Sequence, residues 1–513
     1  MTRPANPLRV AAIGAALLFS VLFGGCVAGP SFHRPRLAPP ARYRPSSESA
    51  SAAARQSPAG VARYRQRIER GGRQILPWWT LFRSPQLDAL IRQALSDNHD
   101  LAADEAAVAQ ARQMVAVAGA GRYPQVAADA SGGRQKYGAN FLGPEVFPPF
   151  SYVAFGANVS YRLDYIGAVA RTLEERRALV RYRESELQAA RLVLSGEVAS
   201  QAVAIAATRA EIGAVKGLLA EDRANLRLVR SAVEAGSVAR LDVLTARTQL
   251  ASDQTLLPPL YQRLAVARHA LSVLLARPPA QWSAPDPTLR QFTLPRSVPV
   301  AVPSQLVRRR PDILAAQAQL HAATAAVGIA TANLYPRIDL TASLTEAALR
   351  PSALFGPGSL AWSLIGGVTE PLFDGGRLRA ERRAALDVLN ERAQAYQQVV
   401  LVAFRQVADA LDALRYDADL LAAQAHARAL SRSRLALERD SYRAGNTGLL
   451  PVLDAERQRE RADLGLLQAE ERQYLDTIRL LLASGGPLTR TSYGKASPAG
   501  TGVMRARLSP EAR

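Results

Sequence analysis

The sequence predicts a mainly α-helical chain that also carries four membrane-type β-strands, built by internal tandem duplication. Three observations predict this. Asp100-Leu101 and Tyr123-Pro124 return 212 residues later as Asp312-Ile313 and Tyr335-Pro336. Leu163, Gly167, Ala235-Gly236, Leu241, Val243-Leu244 and Ala246 return 209 residues later as Leu372, Gly376, Ala444-Gly445, Leu450, Val452-Leu453 and Ala455. A unit of about two hundred residues is far longer than a solenoid period, so it is one duplicated module rather than an array. The second observation is a pair of proline-free stretches, Ala168 to Glu234 and Arg377 to Arg443, each of 67 residues and each followed by a glycine, Gly236 or Gly445. The third is strict alternation of apolar and polar residues in short segments of both halves.

From the N-terminus, Arg3 and Arg9 precede the apolar run Val10 to Phe23, which ends in Gly24-Gly25-Cys26. That run is too short to span a membrane and ends in small residues, so residues 1–25 read as a secretory signal peptide. Cys26, the one cysteine of the chain, stands where a bacterial lipobox places the thiol that is acylated and becomes the mature N-terminus; Phe23 replaces the more usual Leu. An ordinary signal peptide with an incidental cysteine is the competing reading. A single acyl chain holds a membrane marginally, whereas two or three anchor stably. No disulfide is possible within the chain. Residues 26–74 are expected to form a lipid-anchored segment and flexible tether, the aperiodic Ala, Ser, Arg and Pro of Ala38 to Gly72 supplying the tether.

The first repeat is expected over 75–280, with a helix, a β-hairpin at about 125–165, the long helix 168–234, a tip turn at Gly236 and a return helix. A linker over 281–311 follows. The second repeat, 312–484, places its hairpin at about 337–372, its long helix at 377–443 and its tip at Gly445; 485–513 is a second flexible tail. The shift between repeats changes by three residues between Pro124 and Leu163, an insertion suited to the proline-bearing loop Phe141 to Phe150.

Phe155, Ala157, Val159, Tyr161 and Leu163 alternate with polar or small residues, as do Ile338, Leu340, Ala342 and Leu344. About ten residues with one apolar and one polar face suit a transmembrane barrel strand, lipid on one side and water on the other. A small soluble sheet would share the pattern. Four strands cannot close a barrel, so the membrane reading requires several chains to share one.

A 67-residue helix would run about 100 Å, longer than a compact globular domain. In the second copy Leu386, Leu389, Ala393, Tyr396, Val400, Phe404, Val407, Leu411 and Leu414 recur at a mean spacing of 3.5, a coiled-coil seam. Gly236 and Gly445 suit left-handed helix caps, and Ser237 and Asn446-Thr447 are candidates to cap the helices that follow.

The formal net charge is +20, yet 61 of the 64 cationic residues are arginine, the lysines being Lys136, Lys216 and Lys495. Without a zinc, RRM or helix-turn-helix signature this reads as solvated helix faces rather than nucleic-acid binding. His33, His99, His269, His321 and His426 are scattered without metal-ligand spacing, and no GxSxG, Walker or HExxH pattern occurs. The expectation is therefore a protein without catalysis, cofactor or metal. Arg308-Arg309-Arg310 read as a solvated loop that helps start the next helix, and Trp78-Trp79 as packing residues.

The chain resembles the outer-membrane efflux protein family, in its TolC-like lipoprotein branch. The residues that carry the resemblance are Cys26 with Gly29-Pro30 and Pro35; Trp78-Trp79, Phe82, Pro85, Leu87, Leu90-Ile91 and Asn98; Arg309-Arg310-Pro311-Asp312-Ile313; Gly328 to Pro336; Pro371-Leu372-Phe373-Asp374-Gly375-Gly376; and Leu449 to Ala455. The resemblance implies a homotrimer whose chains close a twelve-stranded outer-membrane β-barrel, four strands each, continuous with a periplasmic α-helical barrel. It implies as partners a periplasmic adaptor, an inner-membrane pump of the resistance-nodulation-division type and outer-membrane lipid, and as function the efflux of drugs or other small solutes.

The resemblance also implies a gate where the helix tips close the tube. It places Leu450 at an apolar ring and Asp454 at an acidic ring, with Leu241 and Asp242 from the first repeat and Tyr442 and Arg443 as latch residues. Thr245 stands where the second repeat has Asp454. An acid ring in a narrow throat would attract cations. Asp454 could instead be a solvated acid pairing with Arg457, and Leu241 and Leu450 ordinary hairpin packing. Two other functions compete: a duct for an ABC-driven protein-secretion system, and a structural coiled-coil lipoprotein of the periplasm.

Overall fold

The computed structural model describes residues 27–35, 40, 42–43, 62, 64–71, 77–137 and 148–485. The signal peptide, Cys26, most of the tether, residues 138–147 and the tail from 486 onward lie outside the described residues. The strands are β1 (Arg67–Arg70), β2 (Gln125–Gln135), β3 (Phe150–Arg162), β4 (Ser297–Val300), β5 (Arg337–Ala348) and β6 (Leu360–Thr369). The helices are α1 (Pro85–Asp97), α2 (His99–Ala120), α3 (Ala168–Glu234), α4 (Arg240–Gln254), α5 (Leu257–Leu274), α6 (Pro303–Arg309), α7 (Pro311–Ala332), α8 (Arg377–Arg443) and α9 (Leu449–Ser484). The described chain divides into two units: one comprises 27–35, 107–184 and 315–397, the other the remaining residues up to 485.

The first unit contains an antiparallel sheet in the order β2-β3-β5-β6. Its register sets Tyr161 opposite Leu340, Val159 opposite Ala342 and Ala157 opposite Leu344. Leu344 then meets Trp362, Ala342 meets Leu364 and Ile338 meets Val368. Alternation therefore places all these apolar side chains on one face. That face is uncovered: Trp362 and Leu364 are each 75% exposed. The other face is polar, with a Ser343–Ser363 hydrogen bond of 2.8 Å, Asn158 donating to Asp129 at 3.1 Å and an Arg162–Asp339 ion pair of 2.9 Å.

The same unit seats the segment that begins at Val27. Ala28 donates its N–H to the Ile166 carbonyl at 2.9 Å, and the buried Arg171 guanidinium donates to the Ala28 and Gly29 carbonyls at 2.9 and 3.1 Å. Phe32 stacks on His321 with ring centroids 4.2 Å apart, and His321 Nε2 lies 2.8 Å from Glu174 Oε1. Gly29 has φ +81°, and a Cβ there would sit 2.5 Å from Gly328 Cα, so only glycine fits.

In the second unit Trp78, Trp79 and Phe82 are buried, Trp78 donating to Ser195 Oγ at 3.0 Å and Trp79 to Asp88 at 2.8 Å. These tryptophans pack, as their sequence context suggests. Three expectations need correction here. The tether expected over 38–72 contains β1, which pairs in parallel with β4 from Arg67↔Ser297 to Arg70↔Val300; a partner about 230 residues away supplies the ladder, and four mostly exposed residues carry no alternation to reveal it. The linker expected over 281–311 holds β4 and α6. Arg310 is buried rather than solvated, its Nε–H shared between the two carboxylate oxygens of Asp312 at 2.9 and 3.0 Å, its other nitrogens donating to the Ala483 carbonyl at 3.0 Å and to Gln406.

The helix that returns from the first tip is broken into α4 and α5, whereas α9, returning from the second, is continuous over 36 residues. Pro258 and Pro259 lack the N–H groups that would carry the ladder across Gln254 and Thr255, whereas the positions 209 residues on are Leu467 and Gln468. Along α8 the seam residues Val400, Val407 and Leu414 are buried, as is Tyr396, while Leu386 is exposed.

Candidate functional site at the helix tips

The two tip turns are built alike. Gly236 and Gly445 have φ +74° and +76°. Ser237 N–H bonds Ala232 O and Gly236 N–H bonds Val233 O, each at 2.9 Å; Asn446 and Gly445 repeat the pattern with Ser441 and Tyr442 at 2.9 and 3.0 Å. This is the paired closure in which a left-handed residue satisfies the last carbonyls of a helix. The caps that open the next helices differ from expectation. Ser237 Oγ donates back to Ala232 O, and α4 begins after Ala239, whose N–H donates to Asp242 Oδ2 at 3.2 Å; α9 begins after Gly448, with no side-chain cap. The turn hydrogen bonds place Ser237 and Asn446 outside the capping position.

Leu241 and Leu450 are 69% and 59% exposed, so neither packs in its own hairpin. Their neighbours do: Leu449 and Leu453 pack with Val229, and Val452 and Ala455 with Leu435. The Tyr442 ring touches both clusters and so joins α3, α8 and α9 at the tip. Arg443 is exposed and pairs within its own helix with Asp440 at 3.2 Å. Asp454 accepts from Arg434 at 2.9 Å and Gln458 at 3.1 Å, with Arg457 farther at 3.5 Å. Asp242 is engaged in capping, so the two tip acids hold different local roles.

Above the tips lies a polar network that sequence reasoning missed. Arg439 on α8 bridges Glu221 on α3 at 3.1 Å and Glu456 on α9 at 2.7 Å. Arg459 on α9 holds the other Glu221 oxygen at 3.0 Å, and Asn225 donates to Glu456 at 2.7 Å. Beside it, Asp222, Asp253 and Glu460 are buried carboxyls from α3, α4 and α9. Burial, then the neighbouring Asp253, pushes Asp222 up to about 7, and the same two causes push Glu460 up to about 7. The available sequence signal was slight: Glu456 and Glu460 stand four apart on a helix whose opposite face is equally charged.

An uncovered apolar β-face, two 67-residue helices and apolar residues exposed at both tips thus stand together in one chain. The chain matches the Outer membrane efflux protein family over residues 90–277 and 302–486, and belongs to it. It is 32% identical over 422 residues to the pyoverdine export outer membrane protein OpmQ of Pseudomonas putida, covering 80% of this chain and 89% of that one. Outer membrane protein OprJ of Pseudomonas aeruginosa is 30% identical, with 93% and 97% covered. Among solved structures, the outer-membrane channel OprN superposes with a TM-score of 0.80 at 28% identity, over 90% of this chain and all of that one. The CusC structure gives a TM-score of 0.75 at 26% identity, again over 90% of this chain and 100% of that one. Family members of this kind are outer-membrane efflux channels rather than enzymes.

Proposed function

We propose that three copies of this chain form the outer-membrane exit duct of a tripartite efflux system, receiving drugs or other small solutes from a periplasmic adaptor and an inner-membrane pump of the resistance-nodulation-division type. The observation that carries this reading is the sheet β2-β3-β5-β6. It presents one apolar face to its surroundings and leaves the outer edges of β2 and β6 without partners among the described residues. An apolar face favours lipid, and open strand edges cannot stay unpaired in a bilayer, so neighbouring copies must supply the pairing. Three sets of four strands make a twelve-stranded barrel, and acyl chains on Cys26 add an anchor. A soluble hairpin in a structural lipoprotein would bury that face.

The tips act as the gate in this reading. Leu241 and Leu450 form the apolar constriction, Asp454 and Asp242 bias it toward cations, and Tyr442 and Arg443 help hold the closed arrangement. Exposure of both leucines in a single chain supports this, since an apolar side chain at that position gains by meeting its copies across an axis. The test is single-channel current in a planar bilayer together with the detergent-corrected mass. A trimer with small, cation-preferring, mostly closed conductance is expected; a monomer without current would overturn the reading.

A further inference from the structure

We propose that Asp222, Asp253 and Glu460 form a proton-operated clamp that holds the tip hairpins together when protonated and loosens them when ionised. The proposal rests on the reading of the tips as a gate and adds how that gate is regulated.

The three groups stand at matched heights. Asp222 precedes Gly236 by 14 residues, Asp253 follows it by 17 and Glu460 follows Gly445 by 15. At about 1.5 Å per residue, all lie roughly 20–25 Å from the turns. Asp222 is only 3% exposed and Glu460 7%, and among the described residues Asp222 Oδ2 and Glu460 Oε1 have no hydrogen-bond partner. Among the described residues Arg459 Nε is buried without a hydrogen bond, 3.8 Å from Asp463 Oδ2, and the other nearby donors are engaged elsewhere. Gln249 donates to Asp253 Oδ2 at 2.7 Å. Arg439 is shared between Glu221 and Glu456, and Arg459 is held by Glu221. Asn225 is committed to Glu456.

An orphaned carboxyl oxygen beside another carboxyl is satisfied most simply by a proton, which makes one group a donor to the other. Asp222 faces Asp253, with Glu456 and Glu460 next; Glu460 faces Asp253, opposed by Arg459 and Arg461. Both Asp222 and Glu460 are pushed up to about 7, burial being the largest cause. A carboxyl raised in the packed state favours that state while protonated, and the advantage fades as pH rises from the ordinary carboxylate range toward 7. Any opening that admits water restores an ordinary titration, so opening becomes easier as pH rises through that window.

The experiment is open probability of the purified full-length trimer in planar bilayers at about pH 5.5 and about pH 8, for the wild type and for Asp222→Asn, Glu460→Gln and Asp454→Asn. Within that window, each step of one in pH changes the ratio of open to closed channels by about tenfold for every proton released on opening. The expected result is a rise of about tenfold or more in the wild type, a flattened response in Asp222→Asn and Glu460→Gln, and a retained slope in Asp454→Asn. A gated current with the same pH response in wild type and Asp222→Asn would overturn the clamp and leave the duct standing; no current in any protein would overturn the duct on which the clamp depends. If the variants fail to assemble, hydrogen exchange in wild-type α4, corrected for its intrinsic pH dependence, decides: faster opening at the higher pH supports the clamp, and equal opening overturns it.

Discussion

Arg439 donates to Glu456 at 2.7 Å across the second tip hairpin, and Glu456 is almost fully buried while Arg439 keeps part of its surface in water. The pair ties α8 to α9, and through Glu221 the same guanidinium reaches α3. Removing a partner from a buried pair costs more than the pair contributes, because the remaining charge is left without compensation. Arg439→Met would strand Glu456 with only Asn225 as donor. The expected loss is roughly 2–3 kcal/mol, below the range for a fully buried pair because the arginine is partly solvated. Thermal or denaturant unfolding of the purified protein checks it, and Glu456→Gln should cost less because Arg439 retains Glu221.

The two tip acids are predicted to behave differently. Asp454→Ala leaves Arg434 its pairing with Glu438 and removes a carboxylate from each copy, so cation preference should fall and reversal potentials in a salt gradient should move toward zero. Asp242→Ala removes the acceptor for the Ala239 N–H, a capping contact worth about 0.5–2 kcal/mol. Its main effect should be on stability, with a smaller change in selectivity. Equal selectivity losses in both variants would contradict this division.

The sheet makes a sharp mutational contrast. Leu364 lies on the apolar face with Ala342, while Ile365, one residue on, points to the face of Ser343 and Ser363. Leu364→Arg should lower outer-membrane insertion and trimer yield, a lipid-facing arginine costing about 2–4 kcal/mol near the bilayer centre. Ile365→Arg should insert nearly normally if that face lines water. Heat-resistant trimer on gels, compared between the two variants, measures the difference.

A second carboxyl pair gives a pH prediction away from the tips. Asp417 is buried, and burial followed by Asp476 pushes it up to about 7, with Arg472 and Arg479 opposing. Its packed state therefore binds a proton that the unfolded chain releases at lower pH, and stability should fall as pH rises from about 4 to about 7. Asp417→Asn removes this penalty. The melting temperature of Asp417→Asn should exceed that of the wild type at about pH 8, and the two should converge near about pH 4.

Periodicity carried much of the fold. The stretches without proline, 168–234 and 377–443, coincide with α3 and α8 because one prolonged helix leaves a local record in every turn. The hairpins were legible for the same reason, alternation being written into neighbouring residues. The parallel pair β1–β4 was not, since its four residues take their partner from about 230 positions away. Asp222, Asp253, Glu456 and Glu460 resembled ordinary solvated helix acids, because a charged residue looks the same in sequence whether it faces water or another carboxyl.

Helix lengths, tip glycines and the apolar face of the strands could all be read from spacing along the chain. Packing fixed the burial of Arg310, the closer approach of Asp454 to Arg434 than to Arg457, and the carboxyl oxygens of Asp222 and Glu460 that have no hydrogen-bond partner among the described residues. Those outcomes depend on which helix faces meet, a choice made by packing over long separations and recorded in no local period.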